Sequence, residues 1–273
     1  MDKVLTIVDT AGIQDYVFRT NKLRQIIGAS TLVNNATGQW VTDVLEKPQD
    51  LVYSGGGNAV LIFDSMEDAK KFASDLSKIT LEKAPGLRLV ISHKEFDYNN
   101  DALGGSNGII NKTFEQLDRL KAEGNPWAYE TSLGVTEECL FTGQPVDLES
   151  VDKSYDTLLS SEALAKQTAE TDQLEKISKK VDGKEYTFYF AEDMDHITGE
   201  NSDKNLIGIV HIDGNDIGTK IKELVNKYSF ANANNELRDE LAKFSDSVNA
   251  ASEMTFDGLL VDIIRHLHGT SLQ

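Results

Sequence analysis

An α+β fold with the order β-α-β-β-α-β is predicted for the first part of the chain by three observations. A short β-branched run stops at an aspartate, a glycine-rich hairpin lies between two apolar runs, and helical spacing of apolar residues precedes and follows that hairpin. This order is the ferredoxin-like split βαβ arrangement. The first run, Val4 to Val8, reads as a buried strand that carries Asp9 to its end, before a turn through Thr10 and Gly12. Ile13, Tyr16, Val17, Leu23, Ile26 and Ile27, then Leu32, Val33, Trp40, Val41 and Leu45, keep helical spacing with a break around Arg19 to Lys22, which predicts two consecutive helices or one bent one. Leu51 to Tyr53 and Ala59 to Phe63 flank Ser54-Gly55-Gly56-Gly57-Asn58, a hairpin turn that needs positive φ. A helix over Met66 to Ile79 and a strand over Leu87 to Ser92 complete the order.

Beyond residue 97 the pattern loosens. Tyr98 to Gly124 mixes Asn, Gly and Asp with one amphipathic segment, Ile109 to Leu120. Asn125 to about Lys180 is polar and irregular, with a helix expected over Ser160 to Lys179 from its Glu, Lys and Ala. Glu185 to Ala191 and Leu206 to Ile212 read as strands, the second ending on Asp213, and helical patterns follow over Thr219 to Lys227 and Asn235 to Leu267. The domain reading is therefore a first βαββαβ domain at 1–97, an insertion or linker at 98–184, and the first half of a second such domain at 185–273.

Composition narrows the function classes. With 45 acidic residues against 27 basic ones, a formal charge of -18 repels phosphate backbones and argues against strong direct nucleic-acid binding. A small nucleotide carried with a divalent cation remains compatible with that charge. The single cysteine, Cys139, excludes an intrachain disulfide framework and a cysteine-rich zinc site, and fits a cytoplasmic setting. No apolar run approaches the ~20 residues of a membrane span, so no membrane partner is expected.

The βαββαβ order is shared by palm domains, which join a nucleotide's α-phosphate to a hydroxyl with two divalent ions held by oxygen ligands. One carboxylate comes from the end of the first strand and the others from the turn of the neighbouring hairpin. Asp9 and Asp213 meet the first requirement. After Asp213, the run Ile212-Asp213-Gly214-Asn215-Asp216-Ile217-Gly218 turns sharply into a helix, so backbone N–H groups can face a triphosphate; Asp-Gly after a strand also closes a plain turn. The Ser54 to Asn58 hairpin places Gly57 and Asn58 where a cyclase carries acids, and an amide is a weak ligand for a hard cation. Gly55, Gly56, Gly57 and Asn58 either rest against a nucleotide or form a glycine turn and nothing more. Lys22 and Arg24 follow the first turn closely enough to meet a phosphate, or lie on a helix surface. His196, in its acidic run, and His266 and His268 read more simply as solvated or helix-end residues than as ligands.

The run Gly12-Ile13-Gln14-Asp15-Tyr16-Val17-Phe18, with Asn21 to Ser30 after it, resembles the start of the first palm in the large subunit of type III CRISPR effector complexes and its stand-alone relatives; the hairpin and Ile212 to Gly218 are similar to later landmarks of that family in the same order. Residues 100–182 match it only loosely. The resemblance implies two facing palms that bind ATP with Mg2+ or Mn2+ between them, the second palm's Gly-Gly-Asp-Asp hairpin making cyclic or oligomeric adenylate in antiviral defence. On that basis Asp213 is the catalytic metal ligand, with Ile212 (through its carbonyl), Asp9 and Asp216 as further candidate ligands, and Gly214, Asn215 and Gly218 line phosphate. The family's second acid stands two positions after the first, where this chain has Asn215, and the chain stops before a Gly-Gly-Asp-Asp hairpin. The expectation is a relative without the nuclease domain that needs the remainder of a second palm, from a longer polypeptide, a partner chain or a homodimer, to turn over. The competing readings are an inactive docking module, a nucleotide sensor, and a diguanylate-type cyclase, the last opposed by Gly57 and Asn58.

Overall fold

The computed structural model describes residues 2–55, 57–124, 134–147, 151–152, 157–169, 176–189 and 214–269. Its centre is one antiparallel sheet of β1 (Asp2–Ala11), β2 (Leu51–Gly55), β3 (Asn58–Phe63) and β4 (Arg88–Asp97), in the spatial order β2-β3-β1-β4. Strand order and direction are those of the ferredoxin-like fold, with α1 (Ile13–Val17), α2 (Leu23–Thr37) and α3 (Gln39–Val44) in the first crossover and α4 (Met66–Lys83) in the second. The break between α1 and α2 falls where the spacing put it.

Both faces of the sheet are covered. Val4 and Val8 of β1 pack with Leu61, Phe63, Tyr16, Leu32, Trp40 and Phe72 under the first four helices. Leu5 and Ile7, alternating with them, pack with Val60, Ile62 and Phe96 against α5 (Ile109–Glu123), α7 (Ile217–Lys227) and α8 (Asn234–Gly269). The amphipathic segment of the loosely patterned region is thus a core helix, burying Ile109, Ile110 and Leu117. The loop before it interlocks with the α7–α8 junction. Asn234, buried at the start of α8, donates from Nδ2 to the carbonyls of Tyr98 (2.8 Å) and Asp101 (2.9 Å) and accepts from the Leu103 amide at 2.8 Å. A Cβ on Gly104 would stand 2.3 Å from the Val225 carbonyl oxygen, so only glycine permits this approach.

Several boundaries differ from the sequence reading. β1 continues two residues past Asp9, because β4 is longer than Leu87 to Ser92 and pairs Thr10 with Leu89 and Ala11 with Arg88. α4 continues to Lys83. The helix expected over Ser160 to Lys179 is only α6 (Ser161–Thr168), capped by the Ser160 hydroxyl, which accepts from the Ala163 amide. Lys176–Val181 is instead a strand, β7, paired with β8 (Lys184–Tyr189) around Asp182 and Gly183, both at positive φ. An Asp-Gly turn joining two alternating runs outweighs the helix propensity of lysine and glutamate. A two-stranded pair, β5 (Val151–Asp152) with β6 (Thr157–Leu158), precedes α6. The expected strand Leu206 to Ile212 lies outside the described residues. Among them, no helix is long and apolar enough to cross a membrane.

Candidate functional site

The hairpin between β2 and β3 brings the first group of predicted residues onto the α5/α7/α8 face of the sheet. Gly57 sits at φ 87°, a value that side chains other than glycine rarely adopt, and its carbonyl accepts from Thr10 Oγ1 at 3.4 Å. Gly55 pairs with Asn58, and Asn58 stands directly opposite Asp9 on β1. Asp9 Oδ2 accepts from Lys121 Nζ, on α5, at 2.6 Å. The neighbouring Tyr53 phenol is pushed up to about 12, first by burial and then by the Asp9 charge, so it is a neutral hydroxyl at physiological pH. Asn58 Oδ1 is buried without a hydrogen-bond partner among the described residues.

The second group meets the first across a cavity of about 250 Å3. Tyr53, Gly55 and Asn58 line it from the hairpin, Ile217, Gly218 and Ile221 from the first turns of α7, and Leu241, Phe244, Ser245, Val248 and Asn249 from α8. Ser245 Oγ donates to the Ser54 carbonyl at 3.2 Å and fixes α8 to the hairpin. The walls are mostly apolar, with the amides of Asn58 and Asn249 and the hydroxyls of Tyr53 and Ser245 among them, the usual make-up of a small-molecule site. Gly55, Asn58 and Gly218 therefore share one space.

Other predicted residues stand elsewhere. Gly57 backs onto Thr10 and Ile13, outside the cavity lining. Gly214, Asn215 and Asp216 are exposed before α7; Asp216, at φ 60°, is the N-terminal cap residue through its backbone, and its carbonyl accepts from the Lys220 amide at 2.9 Å. Asp213, Ile212, Gly56 and His196 lie outside the described residues. Arg24 donates to the carbonyls of Gln167 (3.2 Å) and Ala169 (3.3 Å), and Lys22 lies 5.5 Å over the Phe141 ring, so both engage the α6 region. Among the described residues no group of three or more His, Cys, Asp or Glu side chains converges to hold a metal ion. A divalent ion at Asp9 would have one carboxylate, already paired with an ammonium, and one amide, which is not a donor set for a hard cation.

Sequence reasoning missed Lys121, Tyr53, Ser245 and Asn249. Lys121 belongs to an ordinary amphipathic pattern and carries no local signal. Ser245 and Asn249, one turn apart, follow Leu241 on the same helix face and interrupt an apolar stripe, which was legible.

No family model matches the chain, and no curated protein matches it. Solved structures that it resembles include the Csm1-Csm4 subcomplex of the type III-A CRISPR-Csm interference complex, at 17% identity and TM-score 0.37 over 47% of this chain and 20% of that one. A Csm1-Csm4 cassette in complex with pppApApA aligns at 16% identity and TM-score 0.37 over 55% of this chain and 25% of that one. Another, in complex with AMPPNP, aligns at 18% identity and TM-score 0.35 over 44% of this chain and 18% of that one. The chain thus spans about a fifth of the length of these structures. The α+β assignment rests on its own strand order and register.

Proposed function

We propose that this chain is a nucleotide-binding palm protein related to the large subunit of type III CRISPR effector complexes, taking ATP with Mg2+ or Mn2+ in antiviral defence. The observation that carries this reading is the shared cavity: two motifs far apart in sequence, the hairpin readable as a nucleotide rest or a plain glycine turn and the Gly218 turn tied to phosphate by the resemblance, line one space through Gly55, Asn58 and Gly218. Its volume of about 250 Å3 lies just under the roughly 300–1,000 Å3 of ligand sites and suits a base with its sugar, not a whole triphosphate. In this reading the flat ring enters between Tyr53 and the apolar faces of α7 and α8, the Asn58 and Asn249 amides offer donors and acceptors to its edge, and the phosphates leave past Gly218 and the N-terminal amides of α7. Asp213, with the Ile212 carbonyl and Asp216, would hold the ion that neutralises the phosphates.

Turnover is assigned to the chain only when the rest of a second palm completes the acidic set, supplied by a longer polypeptide, a partner chain or a second copy. The Asp9–Lys121 pair favours the competing reading of a docking module, since it leaves the first palm without a free carboxylate at its centre.

Isothermal titration with ATP and Mn2+, with GTP as competitor, separates the two. Heat of binding that falls in Asp213→Ala and in Asn58→Ala is expected. Absence of heat with either nucleotide supports the docking module.

A further inference from the structure

The Asp9 site holds a cation of its own. Thr113, Leu117 and Lys121 recur at four-residue spacing on α5, the first two buried against the sheet, so Lys121 continues the stripe that faces β1. Its ammonium reaches Asp9 at 2.6 Å, a charge-assisted contact in which the lysine is 28% and the aspartate 17% exposed. The residues on either side of Asp9 in the sheet are Asn58 and Val90, neither of which adds charge. One carboxylate and one ammonium balance; a divalent ion would need a second carboxylate, and the position facing Asp9 across the ladder is an amide.

We infer that Lys121 replaces the divalent metal of the first palm, its ammonium standing as the resident cation against Asp9, with Asn58 as the matching neutral neighbour. The first palm therefore excludes Mg2+ and Mn2+, and any metal dependence of the protein comes from elsewhere in the chain. This inference rests on the palm reading for the metal it names, while its readout is the ion alone and needs no nucleotide.

The test is a Mn2+ titration without nucleotide, followed by loss of the free-ion signal in electron paramagnetic resonance, in an Asp213→Ala background that removes the other candidate site. The parent is expected to take up no Mn2+ that depends on Asp9. Lys121→Met with Asn58→Asp, which keeps the apolar stem and supplies the second carboxylate, is expected to remove free Mn2+ from the signal where the parent removes none through Asp9. Adding Asp9→Asn should abolish that gain. Asn58→Asp alone, with the ammonium retained, should gain nothing. Uptake of Mn2+ by the parent that disappears with Asp9→Asn overturns the inference, as does a gain in Asn58→Asp alone. A folded Lys121→Met/Asn58→Asp variant that binds no better than the parent overturns it too.

Discussion

Asp64 shows how far a surface carboxylate can be read from its neighbours. Lys3 and Lys47 both donate to it, Lys47 at 2.8 Å, and these bonds hold its carboxyl down to about 2 from an ordinary 3.8. A carboxylate whose folded value is depressed adds stability that is fully present above about 3.8 and lost as the pH falls through about 2. Asp64→Asn should therefore flatten the fall in stability between pH 4 and pH 2, measured by urea unfolding across that range; an unchanged slope would show that the two lysines do not act on Asp64 in solution. Residue identity alone singled out Asp9, Asn58 and the glycines of the hairpin as candidates. It gave no hint of Lys121, because a lysine on an amphipathic helix is ordinary until the sheet brings a carboxylate beneath it.

At the scale of elements, α6 docks on α2 through the same stretch that carries the family resemblance. A Cβ on Gly28 would lie 1.7 Å from the Lys166 carbonyl oxygen, so the two helices meet backbone to backbone at that point. Glu162 and Lys166, 1% and 0% exposed, form an i,i+4 ion pair; Arg19 Nη1 adds a bond to Glu162 at 2.6 Å, and Lys166 Nζ donates to the Tyr16 carbonyl. Burial pulls the Lys166 amine below its ordinary value, against the pull of Glu162. Glu162→Ala leaves that ammonium unmatched and should cost about 3–5 kcal/mol in urea unfolding, whereas Glu162→Leu with Lys166→Met should cost far less, since the desolvation of both charges is relieved together. Equal losses would mean the pair is not buried in solution. Arg24, Gln25 and Gly28 thus read as docking residues for α6, a role that a linear motif cannot announce because its partner lies beyond a long, weakly patterned segment.

For the whole molecule, the decisive feature is that the sheet has two cores and the second is closed by helices from distant parts of the chain. Leu237, fully buried, sits with Val225, Tyr228 and Leu241 on Leu5, Ile7, Val60 and Ile62. Leu237→Ala should lower stability by about 2–5 kcal/mol. In a Trp127→Phe background, Trp40, on the opposite core, should report the same shifted transition as far-UV circular dichroism. Two separated transitions would show that α7 and α8 fold apart from the sheet.

The amino-acid sequence by itself determined the βαββαβ order, the hairpin and its glycines, the break after α1 and the helices at the end of the chain, because each is written in local periodicity and turn chemistry. Tertiary structure alone decided that the segment at 109–123 is core, that Gly218 and Asn249 share a cavity with Asn58, and that Asp9 is met by a lysine. Those outcomes depend on which faces the sheet leaves uncovered and which remote side chains reach them, and no window of neighbouring residues contains that information.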